Sequence, residues 1–199
     1  MGGRESILKA AEAVFVERGF SGASISEIAS RAGVAKSLIY HHFESKDQLW
    51  YEVIREHNRR SGLLERFYGT LASQDMDSLD ELTRGEKGFF YFLREHPELI
   101  RMMSWLNLEG GLDMDFPDPE ARGKITDRIR ELQEKGRIRP DIDPVVLPIL
   151  YMLICFGWFE SRWKYRRWFP EGLSDRELDA RFIQSAMEII WNGITPDEE

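Results

Sequence analysis

The fold is decided by residues 24–49, which read SISEIASRAGVAKSLIYHHFESKDQL. Ser24 is followed three positions later by Glu27, the spacing of a capping box, so a short helix is predicted to begin there. Gly33 is expected to end that helix, because glycine adopts the left-handed backbone of a tight turn without steric cost. A second short helix is predicted over residues 35–42. Two short helices joined by a glycine-containing turn predict a helix-turn-helix.

The two faces of the second helix differ in character. Ile39 and Phe43 are four residues apart, so both point to the same side, where they are expected to hold the helix against a core. The opposite side carries a cation, a hydroxyl, a phenol and an imidazole, from Lys36, Ser37, Tyr40 and His41. These groups are able to bind phosphates or base edges in a major groove. The alternative interpretation is the ordinary polar surface of a small helical bundle.

Helical patterns fill the rest of the chain, and no segment alternates convincingly as a strand. The first helix has an apolar stripe that is expected to end at Gly19, formed by Ile7, Leu8, Ala11, Val14 and Phe15. Ser45 with Gln48 opens a long fourth helix. Later helix starts are marked by Ser78 with Glu81, Pro97, Asp118 with Pro119, Asp143 with Pro144, and Ser174 with Glu177. We therefore expect an all-α fold of about nine helices, with a helix-turn-helix domain at 1–45 and a larger helical domain at 46–199.

The charge is distributed unevenly along the chain. The 199 residues have a net charge of −8. Residues 1–60 carry nine Lys and Arg against eight Asp and Glu, a balance of +1, whereas residues 61–199 carry eighteen against twenty-seven, a balance of −9. Screening limits the reach of each charge to about 8–10 Å. The acidity of the larger segment therefore does not exclude DNA binding by the first.

A reducing, cytoplasmic setting without membrane association is expected. The single Cys155 lies in an apolar run, so no disulfide is available within one chain. No secretory signal pattern is seen. Residues 145–159 are apolar apart from Pro148 and Gly157, but they are fewer than the roughly 18–20 needed to span a bilayer. A buried helix is predicted there.

Several stretches together resemble the TetR family of bacterial transcriptional regulators. They are RGFSGAS at 18–24, ISEIA at 25–29, AGVAKSLIYHHF at 32–43 and SKDQL at 45–49. The resemblance covers about residues 5–55 and fixes many positions without a gap. It implies a homodimer that binds a double-stranded DNA operator, with a small-molecule effector bound by the larger domain.

The resemblance also implies roles for individual residues. It places Ser24 at a backbone phosphate and Ser26 toward the groove. Base contacts are implied for Lys36, Ser37, Leu38 and His41, and phosphate contacts for Tyr40, His42 and Lys46. Leu38 departs from the usual small residue, and an exposed leucine there is expected to meet a thymine methyl. Only Arg4 stands where many relatives carry a basic arm, so minor-groove contact by an arm is not expected.

Aromatic and methionine side chains of the larger domain are candidates for an effector pocket. They are Phe67, Phe89, Phe92, Met102, Met103, Trp105 and Phe156. Such a lining suits a small apolar or aromatic molecule. Packing into a plain core is the alternative for each of them.

The last two helices predict a dimer interface. They are apolar over too wide a surface for one side of a helix packed on its own core. The candidate contacts are Trp158, Phe159, Phe182, Ile183, Met187, Ile190 and Trp191. Two helices from each copy would form a four-helix bundle, and a two-fold dimer could read a pseudo-palindrome. A single large core that absorbs both helices is the alternative.

No motif of catalysis is found in the sequence. It lacks a nucleophile elbow, a phosphate loop, a dinucleotide fingerprint and a metal-ligand pair at helical spacing. Asp113, Asp115 and Asp118 lack the glycine and terminal glutamate of a calcium loop. We therefore expect no enzyme, no cofactor and no metal. The predicted function is a repressor released from its operator by a ligand, and an activator or an effector-independent DNA-binding protein is the alternative.

Overall fold

The computed structural model of the chain describes residues 3–62, 88–109 and 119–196. Within these ranges the chain forms nine α-helices, one 3-10 turn and no β-strand. The helices are α1 (Gly3–Gly22), α2 (Ile25–Ala32), α3 (Lys36–His42), α4 (Lys46–Ser61), α5 (Phe89–Glu95), α6 (Pro97–Leu108), α7 (Pro119–Glu134), α8 (Val146–Tyr165) and α9 (Asp175–Ile194), and the 3-10 turn is Arg166–Trp168. The predicted all-α fold is confirmed.

The helices divide into two compact units. The first unit contains α1 to α4 together with α6, and the second contains α5 and α7 to α9. The first unit therefore extends beyond the predicted helix-turn-helix domain at residues 1–45. It also takes in α4 and α6, which the sequence analysis assigned to the larger domain.

The first unit is built around the apolar stripe of α1. All five predicted stripe residues are buried. Phe15 of α1 meets Trp50 of α4 edge to face, with ring centroids 4.6 Å apart. Met102 of α6 is fully buried in the same core cluster. A continuous apolar surface thus holds α2 and α3 from behind, which fixes their position without using their outer faces.

Two of the described helices, α4 and α9, begin at the predicted capping residues, whereas the predicted start at Ser78 with Glu81 lies outside the described residues. The Ser174 hydroxyl accepts from the Glu177 amide and the Glu177 carboxylate accepts from the Ser174 amide, so this capping box is complete. At the start of α4, the Ser45 hydroxyl accepts from the Gln48 amide, and the Gln48 side chain accepts from the amide of Glu44. Both starts confirm the capping signals in the sequence.

The second unit has an aromatic core with one buried ionic group. Trp158 of α8 stacks on Phe182 of α9, with centroids 3.9 Å apart and planes at 9°. The Trp158 indole N–H donates to the carboxylate of Asp179, 2.7 Å away, and Asp179 is 0% exposed. Arg162 donates to both oxygens of the same carboxylate, at 3.0 and 2.8 Å. This network joins α8 to α9.

Gly19 is a site where any side chain is expected to destabilise the first unit. Helix α1 was predicted to stop there, and its backbone does leave helical geometry at φ 71° and ψ −178°, but one more turn continues to Gly22. A Cβ atom at this position would lie 2.8 Å from the Trp105 ring and 2.7 Å from the Glu109 carboxylate. Strain and overlap together are expected to make Gly19→Ala cost about 2–3 kcal/mol of unfolding free energy.

The matched control for Gly19→Ala is Gly33→Ala, measured in the same urea titration. Gly33 also has a positive φ of 68°, but nothing lies within 4 Å of its added Cβ. Backbone strain alone is expected to cost about 1 kcal/mol there. Equal losses in the two variants would contradict the close packing of Gly19 against α6.

Cys155 is expected to be unreactive in the folded protein. Its side chain is fully buried on α8, and burial raises the pKa of the thiol. Since the thiolate is the reactive form, an aromatic disulfide reagent at neutral pH should modify Cys155 only after denaturation. Rapid modification under native conditions would show that this part of the core opens.

Candidate nucleic-acid interface

The turn between α2 and α3 is formed by local hydrogen bonds. The Ser24 hydroxyl caps α2 by accepting from the Glu27 amide at 3.2 Å. Gly33 has the left-handed backbone predicted for it, and its amide donates to the carbonyls of Ala29 and Ser30 at the end of α2. Helix α3 then begins at Lys36. The helix-turn-helix predicted from the sequence is therefore confirmed.

Only half of the first predicted capping box is formed. The Glu27 carboxylate does not return to the Ser24 backbone. It binds Arg31 at 2.9 Å and Arg18 at 3.1 Å instead. Arg31 also binds Glu17 at 2.6 Å, and this hydrogen bond, acting against partial desolvation, lowers the pKa of Glu17. Arg18 and Arg31 are thus each paired with a carboxylate.

The outer face of α3 is polar and open. Ile39 and Phe43 are each about 1% exposed and anchor the helix from behind, as predicted. Tyr40 is 56% exposed on the other side. The remaining exposed side chains of this face are Lys36, Ser37 and His41. Lys36 forms no ion pair with any residue that the structure describes. These four residues, Lys36, Ser37, Tyr40 and His41, are called the α3 face below.

Three of the residues implied by the resemblance have additional contacts within the protein. Leu38 was expected to be exposed, but it is half-buried and packs on the core cluster. His42 is half-buried beside His41, with ring centroids 5.3 Å apart. The Lys46 ammonium donates to the Ala23 carbonyl at 2.9 Å and lies 4.3 Å from the Phe20 ring centroid. Two of its three N–H groups remain able to donate to a phosphate.

Arg4, in the first turn of α1, contacts α4 and the residue that follows α3. The Arg4 guanidinium pairs with Glu52 at 2.6 Å and lies 5.4 Å from the Phe43 ring centroid. A groove of about 380 Å³ lies beside it, lined by Arg4, Glu5, Leu8, Lys9, Glu56, Arg59 and Arg60. This charged groove was not predicted from the sequence, and its lining differs from that of the predicted apolar pocket.

Comparison with known proteins decides the family. The profile of the bacterial regulatory proteins, tetR family, matches residues 7–53, and that of the tetracyclin repressor-like C-terminal domain matches residues 79–190. The second match alone covers more than half of the chain. The chain belongs to the TetR family. TetR proteins are DNA-binding transcriptional regulators and not enzymes, which confirms the predicted class of function.

Full-length relatives of this TetR protein have been named as repressors. The transcriptional repressor NicS of Pseudomonas putida is 27% identical, with 96% of this chain and 92% of NicS aligned. KstR2 of Mycolicibacterium smegmatis, also a transcriptional repressor, is 26% identical over 98% of this chain and 92% of its own. Salmonella enterica GusR shares the fold, with a TM-score of 0.67, 22% identity, and 96% and 94% of the two chains covered.

The predicted effector contacts fall in different units. Phe89, Phe92 and Phe156 lie in the second unit, where the Phe89 and Phe156 rings meet at 5.9 Å. Met102 belongs to the core of the first unit, and Trp105 packs against that core. Met103 lies on the same helix as these two. Phe67, like Asp113, Asp115 and Asp118 of the rejected calcium loop, lies outside the described residues.

The predicted dimer contacts divide by burial. Trp158, Ile183 and Met187 are at most 5% exposed within their own protomer, so they offer little surface to a partner, and their place in an interface stays a prediction. Phe159, Phe182, Ile190 and Trp191 are half-buried. Exposed apolar residues of the second unit that were not among the predicted contacts are Val145 just before α8, Val146, Ile149, Leu150, Leu153, Trp163 and Tyr165 on α8, Trp168 after it, and Ile189 on α9.

Residues 146–159 of the apolar run lie in helix α8, but the predicted burial is only partial within one protomer, since Leu153 is 63% exposed. None of the described helices combines the length and the hydropathy that a membrane crossing requires.

Proposed function

We propose that this TetR protein represses transcription by binding a pseudo-palindromic operator as a homodimer, and that a small apolar or aromatic effector releases it. The observation that carries the proposal is the α3 face, an exposed set of donors and acceptors on a helix anchored from behind. NicS and KstR2 are named as repressors, which supports repression rather than activation. Because its target is DNA, we expect it to act in the cytoplasm.

Each polar group near α3 has a role that its chemistry suits. Lys36 and His41 are able to donate to guanine or to phosphates, and Ser37 either donates or accepts. Tyr40, His42 and Lys46 are proposed to hold the phosphate backbone, which sets the register of the complex. The Ser24 hydroxyl accepts from the Glu27 amide, so its own hydrogen is available to a phosphate. Ser26 is exposed in the first turn of α2 and is proposed to face the groove.

Half-buried Leu38 keeps a smaller proposed role. Part of its side chain packs on the core, so only the remaining surface is available to a thymine methyl.

The exposed apolar side of α8 is the proposed centre of the dimer interface. Ile149, Leu150 and Leu153 lie at helical spacing on this side, and Leu153 is 63% exposed. A contiguous exposed apolar patch on one helix is typical of a protein–protein contact. The half-buried Phe159, Phe182, Ile190 and Trp191 are proposed to complete it. Two copies of this side would meet around a two-fold axis, which also places two α3 helices symmetrically.

Leu153→Glu is expected to convert the dimer to a monomer. The two-fold axis brings each substitution into the interface twice, and burying two unpaired carboxylates should raise the dimer dissociation constant at least about 100-fold. Sedimentation velocity over a range of concentrations measures this. Lys164→Glu, an exposed position on the same helix, adds a carboxylate outside the apolar patch and should remain a dimer. If Leu153→Glu remains a dimer as Lys164→Glu does, the interface lies outside the exposed apolar side of α8.

The proposed effector acts through α5 and α6. Phe89 and Phe92 lie on α5, and only His96 separates this helix from α6 along the chain. In the first unit the Glu109 carboxylate, just beyond α6, accepts from the Ser21 amide of α1 at 3.0 and 3.2 Å. A ligand that prefers one position of α5 would therefore bias α6 and, through α1, the helix-turn-helix. DNA affinity falls if the effector binds the mismatched state better.

Selection from a randomised duplex pool at moderate salt tests the proposal. The wild-type protein is incubated with the pool, and the bound DNA is amplified and sequenced over several rounds. Enrichment of a two-fold symmetric motif is the expected result, and that duplex then serves to screen aromatic and apolar compounds for release. A pool that stays random, in a protein that sediments as a dimer, would contradict operator recognition.

A further inference from the structure

Three metal-ligating side chains from separate parts of the sequence meet within the first unit. His57 lies on α4, His96 is the N-cap of α6, and Glu98 lies in the first turn of α6. One ligand atom from each lies within 4.8 Å of the others. Nδ1 of His96 is 3.0 Å from the Glu98 carboxylate, and the two imidazole centroids are 5.7 Å apart with perpendicular planes.

A carboxylate on the far side of His57 fixes the orientation of its ring. Nδ1 of His57 is 2.8 Å from Oε1 of Glu12 on α1, and Arg60 donates to Oε2 of Glu12 at 2.5 Å. A carboxylate oxygen accepts hydrogen bonds, so Nδ1 of His57 is the donor in this contact. The lone pair of a neutral His57 is then on Nε2.

This Nε2 atom has no hydrogen bond to any residue that the structure describes. The His57 side chain is 7% exposed, so bulk water does not satisfy it freely. The Glu98 carboxylate oxygen is 3.6 Å away, beyond hydrogen-bonding distance, and it is an acceptor facing an acceptor. Buried polar side-chain atoms are paired in the large majority of cases. A cation between Nε2 and the carboxylate would give Nε2 the partner that it lacks.

We propose that His57, His96 and Glu98 bind a divalent transition-metal ion such as Zn²⁺. Two imidazole nitrogens and one carboxylate oxygen suit zinc, cobalt or nickel, whereas calcium and magnesium prefer sets of oxygen ligands. A carboxylate that holds the remote nitrogen of a ligating histidine is a recurrent feature of such sites, and Glu12 occupies that position. Three protein ligands leave one tetrahedral position for water or an external ligand.

The bound ion would join α4 to the start of α6 inside the unit that carries the helix-turn-helix. An ion that binds only the folded protein stabilises it by mass action, so Zn²⁺ should raise the melting temperature in a concentration-dependent manner. This inference concerns the first unit alone and does not depend on the operator or the effector.

Titration of the chelator-treated full-length protein with Co²⁺ tests the site. Co²⁺ bound by nitrogen and oxygen ligands absorbs visible light, so the spectrum reports stoichiometry and ligand set directly. One equivalent of Co²⁺ should bind and be displaced by Zn²⁺. His96→Gln and Glu98→Gln should each weaken binding at least tenfold and abolish the rise in melting temperature. Glu12→Gln should weaken it by about 10- to 100-fold.

The matched control is Glu95→Gln, which removes an exposed carboxylate adjacent to His96 in sequence and should bind Co²⁺ as the wild type does. Circular dichroism establishes that each variant is folded. The substitutions are made at the partly exposed His96 and Glu98, so that the buried His57 remains unchanged. Absence of a one-to-one visible spectrum would overturn the proposal. Binding that survives both His96→Gln and Glu98→Gln would also overturn it, by placing the ion elsewhere.

Discussion

Replacing both Lys36 and Tyr40 with alanine is expected to weaken binding to the selected operator by about 100-fold. The two side chains lie on the α3 face and are proposed to supply one groove contact and one phosphate contact. Contacts of this kind are each worth about 1–3 kcal/mol, and about 1.4 kcal/mol corresponds to a factor of ten. Both side chains are exposed, so the urea unfolding midpoint should stay unchanged. Fluorescence anisotropy with the labelled duplex measures the affinity.

The control pair is Lys135→Ala with Tyr165→Ala, which removes the same two side-chain types from exposed positions in the second unit. This pair should keep wild-type affinity. Two measurements on single variants separate the roles. In a salt titration, loss of a phosphate contact reduces the slope of log affinity against log salt concentration by about one. Against operators changed at one base pair, loss of a base contact relaxes the preference at that position. Equal losses from the two double variants would contradict binding through α3.

Asp179→Ala is expected to produce the largest loss of stability among single substitutions in the second unit. The Asp179 carboxylate is 0% exposed and accepts from the Trp158 indole and from Arg162. Removing it leaves a largely buried guanidinium and a buried indole N–H without their acceptor. Breaking a buried ion pair from one side costs about 3–5 kcal/mol. Urea unfolding at fixed protein concentration measures this, because dimer formation also contributes to apparent stability.

Asp175→Ala is the matched control, since Asp175 binds the same Arg162 at 3.3 Å but is 66% exposed. Exposed ion pairs contribute about 0–1 kcal/mol, so this variant should remain close to the wild type. A loss for Asp179→Ala no larger than that for Asp175→Ala would show that the buried network adds little to stability.

Local signals explain why the helix-turn-helix was predictable. Ser24 and Gly33 act on backbone groups within a few residues of themselves, so their effect is visible in the sequence. The same holds for Ser174, whose complete capping box starts α9. Ile39 and Phe43 were identified as anchors because four-residue spacing fixes the face of a helix.

Contacts between distant residues were not predictable in this way. Apolar periodicity marks a side chain as buried but does not distinguish its own core from a partner's surface, which is why the sequence left both interpretations open for Trp158, Ile183 and Met187. The hydrogen bond from the Lys46 ammonium to the carbonyl of Ala23, 23 positions earlier, was likewise not predicted. The sequence contains no signal that brings these residues together.

The grouping of His57 with the start of α6 also had no local signal. His57 and Glu98 are far apart in the sequence, and neither forms a metal-binding pair at helical spacing. Only the packing of α6 into the first unit brings them together.

DNA cleavage from a chelate tethered beside α3 tests the central claim most directly. A Glu44→Cys variant would carry an iron chelate at an exposed position just beyond α3 and outside the proposed DNA contacts, and buried Cys155 should stay unlabelled. We expect cleavage of the selected operator in two clusters related by its two-fold axis. A Ser185→Cys variant, labelled at an exposed position on α9, should not cleave. Uniform cleavage, a single cluster, or cleavage from position 185 alone would contradict recognition of a two-fold operator by paired α3 helices.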